Sequence, residues 1–235
     1  MSGGDARKLF NALELVVSSE AGNGSEEKII ITDEKVLMHV QKNLAMYDKK
    51  GEQHYDIISA FIKSMRGSDP NAAVYWLARM VEGGEDPKFI ARRMLILAAE
   101  DIGLANPNAL LLAQSCFEAI NVIGWPESRI ILAEAAVYLA TSPKSNASYM
   151  AIENATGNVR ETGDLAVPLQ LRNAPTNLMK DLGYHKDYKY AHSFAGNFTE
   201  DNFLPEDIKG SRFFEPGSNP KEEELRNRLS KMWKD

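Results

Sequence analysis

Apolar residues recur at helical spacing in two segments near the middle of the chain. The residues on the two apolar faces are Ala73, Trp76, Leu77 and Met80, then Ile90, Met94, Leu97 and Ala98. Side chains three and four positions apart lie on the same side of an α-helix. The pattern therefore predicts a helical hairpin with a substantial apolar core.

The boundaries of these two segments carry helix signals. Asp69-Pro70 opens the first segment and Asp86-Pro87 opens the second. Aspartate accepts a hydrogen bond from an unpaired N–H of the first turn. Proline there loses no bond, because its missing N–H would have had no partner. Gly83-Gly84 ends the first helix and lets the chain turn back.

The proline signal recurs further along the chain. Asn106-Pro107, Trp125-Pro126 and Asn219-Pro220 each open another segment. Because the segments are not alike in side-chain sequence, they predict an array of helices and not a true repeat. We therefore expect an all-α fold.

The flanking regions extend this all-α prediction. Further helices are expected at about 5–19, from Thr32 or Asp33, at 55–65, 146–155 and 175–182. From Tyr184 to Pro220 the chain has little periodicity but many aromatic residues, which low-complexity disorder would not carry. This region is interpreted as an extended aromatic-rich segment packed over the helices, before a charged C-terminal helix that ends at Trp233.

Composition narrows the class of protein. The 235 residues carry a net charge of −6 and a pI near 5.4, so the chain is not a strongly basic nucleic-acid module, and at most a local basic patch is expected. The only cysteine, Cys116, lies among apolar residues, which predicts a buried inert thiol and fits a reducing compartment. No apolar run approaches the ~20 residues of a membrane span, and the N-terminus is unlike a signal peptide.

Motifs for catalysis are missing from the sequence. No Gly-Lys dipeptide occurs, so the phosphate-binding loop G-x-x-x-x-G-K-[ST] is absent. The histidines, which do not show a metal-ligand spacing, are His39, His54, His185 and His192. No Ser-His-Asp set can be assigned. We expect no catalytic residue and no metal site within this chain.

The short motif Gly4-Asp5-Ala6-Arg7 allows two interpretations. It is either a helix start with a solvated arginine, or an arginine held at a helix N-terminus and aimed at an anion from outside the chain. A guanidinium suits a phosphate because its fork is planar and permanently charged.

A run of interleaved basic and aromatic residues, YHKDYKYAH, occupies 184–192. Such a run can stack bases and meet phosphates, which makes Lys186, Tyr188, Lys189 and Tyr190 candidate contacts to DNA or a partner. Alternatively, the rings pack on a neighbouring helix or subunit and the lysines lie in water. The acidic total charge favours this second interpretation.

Long motifs carry a resemblance over nearly the whole chain. The strongest are GDAR (4–7), the hairpin region (54–80 and 83–110), YLATSPKSNASYMA (138–151), VPLQLRNAPTNLMKDLGY (167–184) and YKYAH (188–192). In these motifs the chain resembles the C-terminal half of the replication-associated recombination protein A family. These are the bacterial MgsA/RarA proteins and their eukaryotic relatives that interact with the Werner helicase.

The resemblance implies the C-terminal part of an AAA+ ATPase similar to clamp-loader subunits, with the ATPase core preceding Met1. Residues 1–66 then correspond to the lid subdomain and 67–235 to a helical tetramerisation domain. Arg7 falls in the sensor-2 motif, which reaches the γ-phosphate of the nucleotide. ATP and Mg²⁺ serve the whole protein, and no cofactor is expected in this fragment.

The same resemblance implies partners and location. The family acts at stalled or gapped replication forks and hydrolyses ATP in response to DNA with single-stranded or end structure. It also associates with single-strand-binding protein. We therefore expect a homotetramer that is cytoplasmic, nucleoid-associated and not bound to a membrane.

Two positions depart from the family pattern. Gln170 stands where the family usually has histidine, so a role that needs an ionisable side chain is not expected there. His185 stands where the family usually has glycine and lacks its freedom at positive φ, so we expect that loop to turn differently.

Surplus apolar residues leave the function open between two hypotheses. Leu110–Leu112, Val122-Ile123 and Ile130–Leu132 are apolar on more than one face, which fits either a central helix or an interface. The first hypothesis is a lid and tetramer domain of a DNA-dependent ATPase, inactive in hydrolysis alone. The second is a helical DNA- or protein-binding module that acts at replication forks independently of nucleotide.

Overall fold

The computed structural model describes residues 13, 16–17, 31–36 and 52–233. The regular structure of these residues is helical and includes no strand, which confirms the all-α prediction. The α-helices of 52–233 are α1 (Glu52–Arg66), α2 (Pro70–Glu82), α3 (Pro87–Leu97), α4 (Asn108–Ile123), α5 (Ser128–Thr141), α6 (Ala147–Thr162), α7 (Asn177–Asp181) and α8 (Pro220–Met232).

Short helical turns connect these helices. A π-helical turn, Ala98–Ile102, continues α3, and the 3₁₀ turn Gly103–Ala105 follows it directly. Further 3₁₀ turns are Leu169–Leu171, Ala191–Ser193, Ala195–Asn197 and Glu206–Ile208. The region 184–219 therefore contains no long helix, as predicted.

The chain divides into two compact units. Unit 1 comprises the described residues of Met1–Met94 together with Cys116–Thr141, and unit 2 comprises Leu95–Ser115 together with Ser142–Asp235. The division after residue 66 that the resemblance implies stays a prediction.

Unit 1 is built around a cluster of three helices, because α1, α2 and α5 pack against one another. Its largest fully buried side chains include Phe61, Met65, Met80, Leu132 and Leu139. Burying each such side chain contributes about 1.5–3 kcal/mol. On the predicted apolar face of α2, Ala73 and Leu77 are buried while Trp76 is half-buried.

Unit 2 is centred on the 3₁₀ turn Gly103–Ala105, against which both α6 and α8 pack. Its buried residues are mostly small and include Ala98, Ile102, Ala105, Ala109, Ala113 and Ala147. Among the described residues beyond 160, the buried side chains are those of Thr199 and Glu222. The aromatic-rich segment is therefore less enclosed than predicted, although Phe198 packs edge-on against Trp233 at 5.0 Å.

Three of the predicted helix starts are confirmed by side-chain caps. The Ala72 N–H donates to Asp69 Oδ1 at 3.0 Å, and the Lys88 N–H donates to Asp86 Oδ1 at 3.0 Å. The Glu222 N–H donates to Asn219 Oδ1 at 3.1 Å.

At the other two proline pairs the helix begins after the proline. The Asn106 side-chain amide donates to Ser142 Oγ at 3.1 Å, and α4 begins after Pro107. The Trp125-Pro126 peptide is cis, and α5 begins at Ser128. In addition, α6 continues to Thr162, well past the predicted end near 155.

Candidate functional site

Arg7, the sensor-2 arginine implied by the resemblance, lies outside the described residues. Its approach to a phosphate therefore stays a prediction, as does the role of the Gly4–Arg7 motif.

The segment 184–192, here called the aromatic strip, presents ring pairs at the surface of unit 2. The Tyr188 ring lies 4.9 Å from the ring of His185, and the Tyr190 ring lies 5.2 Å from that of His192. Tyr188 is 40% exposed and Tyr190 is 59% exposed. Both tyrosines thus offer apolar ring surface to a ligand or partner.

The two candidate lysines of the aromatic strip differ in their surroundings. Lys189 Nζ lies 3.2 Å from Asp201 Oδ1, so that its charge is partly matched within the chain. Lys186 is exposed, and its side chain forms no ion pair within the described part of the chain. Lys186 is therefore the lysine better placed to meet an anion from outside.

Arg172 contacts Tyr184, the first residue of the aromatic strip. The sequence did not predict this contact. Arg172 Nη1 donates to the Tyr184 hydroxyl at 3.1 Å and Arg172 Nε donates to the Val167 carbonyl at 2.7 Å. The guanidinium carbon lies 5.1 Å from the Tyr184 ring centroid. Twelve positions separate the two residues, so no local pattern indicates this pair.

The two departures from the family pattern involve the same 3₁₀ turn, Leu169–Leu171, because Gln170 lies within it and His185 contacts it. Gln170 Nε2 donates to the Asn202 carbonyl at 3.3 Å, and the His185 N–H donates to the Leu169 carbonyl at 2.9 Å. His185 itself adopts a φ of 62°, and Asp187 adopts 61°. The histidine thus takes up the left-handed conformation that a glycine reaches at lower cost.

The SPKSNA motif has a structural explanation within unit 2. The Ser145 N–H donates to the Asp101 carbonyl at 2.8 Å, and Lys144 Nζ donates to the Ser142 carbonyl at 2.6 Å. Burial lowers the pKa of Lys144, while the negative charge of Asp101 acts in the opposite direction. The motif thus ties the turn that follows α3 to the start of α6.

Unit 1 carries exposed aliphatic residues, here called the apolar surface. Its members and their exposed fractions are Val122 (87%), Ile123 (48%), Ile130 (61%) and Val137 (40%). Ile130 and Val137 lie two turns apart on α5, whose opposite side is buried. Exposed aliphatic side chains that form a contiguous patch commonly mark sites of protein association, which makes these four residues candidate contacts.

Two other features are absent from the described residues, namely a metal-binding cluster and a membrane-spanning helix. No group of three or more histidine, cysteine, aspartate or glutamate side chains is arranged to hold a metal ion there. Within the same residues, no helix combines the length and hydropathy required to cross a bilayer.

Two family models match consecutive parts of the chain. The model described as AAA C-terminal domain matches residues 1–66, and the model described as MgsA AAA+ ATPase C terminal matches residues 67–233. Together they account for nearly all of the sequence.

Relatives match over almost the whole chain. An uncharacterised protein of Thermotoga maritima is 49% identical over 99% of this chain and 36% of its own length. Replication-associated recombination protein A of Coxiella burnetii is 43% identical over 96% of this chain and 51% of its own length. ATPase WRNIP1 of Dictyostelium discoideum is 38% identical over 90% of this chain and 26% of its own length.

The chain thus spans about half of the length of the Coxiella relative and less of the other two. The matched part includes both the hairpin of α2 and α3 and the aromatic strip. On these matches, the chain belongs to the MgsA AAA+ ATPase family, which includes the replication-associated recombination proteins A, and corresponds to their C-terminal region.

Proposed function

We propose that this chain is the C-terminal part of a DNA-dependent AAA+ ATPase that acts in replication-fork maintenance and recombination. The two family models and the name of the Coxiella relative support the proposal. In it, residues 1–66 act as the lid and 67–235 assemble a homotetramer. The whole protein binds ATP and Mg²⁺, and its partners are DNA with single-stranded or end structure and single-strand-binding protein.

The observation that best supports the proposed homotetramer is the apolar surface of unit 1. Val122 is 87% exposed and Ile130 is 61% exposed in the single chain. Removing each such side chain from water stabilises an assembly by up to about 1.5–3 kcal/mol. A second copy of the chain is the partner that the proposed homotetramer requires at this surface.

Light scattering over a range of concentrations tests this assembly. We expect the wild-type chain to have the mass of a tetramer, and the double variant Val122→Asp/Ile130→Asp to have a smaller mass. Ile152→Asp is the control, because Ile152 is also 61% exposed but lies on α6 of unit 2. A wild-type chain that remains monomeric at high concentration contradicts the proposal.

Hydrolysis of ATP is assigned to the part of the protein that this chain lacks. The sequence contains no phosphate-binding loop, so the purified chain is expected to show no ATP turnover. Turnover that copurifies with the chain through several columns and follows its concentration contradicts this assignment.

A second candidate function is a DNA- or protein-binding module that works independently of nucleotide. The observation that favours it is the pair of exposed rings, Tyr188 and Tyr190, beside the exposed Lys186. Stacking of a base on an aromatic side chain contributes about 1–3 kcal/mol. Such a surface is suited to single-stranded DNA.

Fluorescence anisotropy with labelled single-stranded DNA separates the two functions. Tight binding that weakens steeply with salt, and that Tyr188→Ala/Tyr190→Ala abolishes, favours the second function. Phe203→Ala is the control, since Phe203 is also exposed (48%) but lies outside the aromatic strip. Absent or salt-insensitive binding by a tetrameric chain favours the first function.

A further inference from the structure

An open cleft of about 360 Å³ lies between α1 and α2 of unit 1. Its lining residues are Asp56, Ile57, Ala60, Trp76 and Arg79. Ile57 is buried, and Ala60 and Trp76 are half-buried, so the floor of the cleft is apolar. Its two charged residues come from different helices, Asp56 from α1 and Arg79 from α2.

Neither charged side chain of the cleft is paired with an opposite charge among the described residues. In the part of the chain that the structure describes, neither the Asp56 carboxylate nor the Arg79 guanidinium forms an ion pair or a hydrogen bond. Arg79 is held over the Trp76 ring, with its guanidinium carbon 5.4 Å from the centroid. The same apolar cleft thus offers one negatively charged and one positively charged side chain to a partner.

Aromatic side chains complete the surroundings of the cleft. The Tyr75 ring packs edge-on against Trp76 at 5.0 Å and is 57% exposed. Tryptophan, tyrosine and arginine are the residue types that most often dominate the binding energy of protein interfaces. Nucleic acid fits this cleft less well, because its phosphates would meet the Asp56 carboxylate.

The charges make the cleft complementary to a second copy of itself. In a two-fold contact, when one residue meets a second across the interface, the second also meets the first. Asp56 of one protomer then pairs with Arg79 of the partner subunit, and the same pair forms again in reverse. We propose that the α1–α2 cleft is a two-fold contact between copies of this chain.

This inference rests on the homotetramer of the proposed function and adds a second interface to it. In this second interface α1, the last helix of the proposed lid, takes part together with α2. A tetramer with dihedral symmetry uses two different kinds of two-fold contact. The apolar surface supplies one kind through residues of α5 and the end of α4. The α1–α2 cleft supplies the other kind, with charges that fix its register.

Charge reversal tests the contact. Asp56→Arg or Arg79→Asp places like charges opposite each other twice across the two-fold axis, which weakens this contact by about 100-fold or more. Light scattering is therefore expected to give half of the tetramer mass for each single variant. The double variant Asp56→Arg/Arg79→Asp restores the pairs with reversed polarity, and the tetramer is expected to return.

Matched controls separate this effect from a general effect of charge. Glu161→Arg and Lys88→Asp make the same changes in net charge at exposed positions outside the cleft, and both are expected to remain tetrameric. Circular dichroism of every variant checks that the helices are retained.

Three results would count against the contact, and they differ in what they overturn. Tetrameric single variants overturn the cleft contact alone, with the proposed tetramer intact. A double variant that stays at half mass overturns the pairing of Asp56 with Arg79. A monomeric wild-type chain overturns the proposed homotetramer, and the cleft contact with it.

Discussion

Cys116 shows how burial sets the chemistry of a single residue. The side chain is 3% exposed, and its Sγ lies 3.9 Å from the Ile131 carbonyl. Burial, and then the negative charge of Glu134, raises the pKa of the thiol from 9.0 to about 11. Because the thiolate is the reactive form, this cysteine is inert at neutral pH, as its apolar neighbours in the sequence indicated.

The reactivity of Cys116 is the first prediction. A shift of two pKa units lowers the thiolate fraction about 100-fold at pH 8, and enclosure slows reagents further. We expect a chromogenic disulfide reagent to modify the native chain at least about 100-fold more slowly than the guanidinium-unfolded chain. A native rate within tenfold of the unfolded rate contradicts this.

The raised pKa of the Cys116 thiol predicts that the free energy of unfolding depends on pH. Its folded pKa of about 11 lies above the unfolded value of 9.0, so the unfolded chain loses the proton first as pH rises. The stability that depends on the neutral thiol is full below pH 9 and is lost between pH 9 and about 11. Denaturant unfolding is expected to show less loss over this range in Cys116→Ala than in the wild type.

The backbone at His185 gives a third prediction at the scale of single residues. His185 has a φ of 62°, whereas the next residue, Lys186, is not in the left-handed region. Glycine is therefore expected to be more stable than alanine at 185 by about 1 kcal/mol. At position 186 the alanine variant is expected to be more stable than the glycine variant, because glycine there only adds conformational freedom to the unfolded chain.

Thermal unfolding of four variants checks this reversal. His185→Gly and His185→Ala both lose the ring that lies against Tyr188, so their difference isolates the backbone. Lys186→Gly and Lys186→Ala serve as the matched pair. The same order at both positions would contradict a strained backbone at 185.

At the scale of elements, helix starts were predicted best where the signal is local. Asp69, Asp86 and Asn219 each cap their helix through an oxygen that is within three residues of its donor. A short stretch of sequence contains all the atoms of such a cap. The cap and the following proline therefore locate the helix start without further information.

Elements set by distant contacts could not be predicted. The π-helical turn Ala98–Ile102 is joined to Ser145, whose N–H donates to the Asp101 carbonyl. Gly103 follows with a φ of 47°, and a Cβ there would lie 3.0 Å from the Ser145 carbonyl oxygen. No pattern around residue 100 indicates a partner more than forty residues away.

Alanine substitutions at Gly217, just before α8, and at Gly157, inside α6, are expected to change stability differently. A Cβ at Gly217 would lie 2.7 Å from Glu222 Oε2, and Glu222 is fully buried at the start of α8, where the Asn219 amide holds it. We expect Gly217→Ala to destabilise the fold by about 1–3 kcal/mol. Gly157→Ala is the control, since nothing lies within 4 Å of a Cβ there, inside α6.

Gly157→Ala, the control, is expected to increase the stability of the fold. Alanine is favoured over glycine in a helix interior by roughly 0.5–1 kcal/mol. Denaturant midpoints should therefore fall for Gly217→Ala and rise for Gly157→Ala. Equal midpoints for the two variants would mean that Glu222 moves aside freely.

At the scale of the whole molecule, the sequence located the aromatic strip but not the side chain that supports it. Interleaved tyrosines and lysines marked the aromatic strip, because exposed residues that are neighbours in the sequence can form a local pattern. Arg172, which holds Tyr184, lies outside that pattern. The Asp56–Arg79 cleft was missed for the same reason, since its two sides come from different helices.

The predicted role of Arg7 belongs to this scale, because it requires the complete ATPase. In the whole protein, Arg7→Ala is expected to lower the rate of ATP hydrolysis by about 100-fold, since one donor to the developing phosphate charge is lost. Lys8→Ala is the control for a neighbouring cation. Steady-state phosphate release measures both, and equal rates for wild type and Arg7→Ala would exclude the sensor role.

The sealed position of Cys116 also makes exchange of protomers between the proposed homotetramers measurable. A cysteine introduced at an exposed site such as Leu178 is modified alone by a maleimide dye, because the native sulfur stays out of reach. Donor-labelled and acceptor-labelled chains then transfer energy only after they have mixed. The rate of subunit exchange can thus be measured at nanomolar concentration. Every wild-type side chain other than the labelled one stays in place.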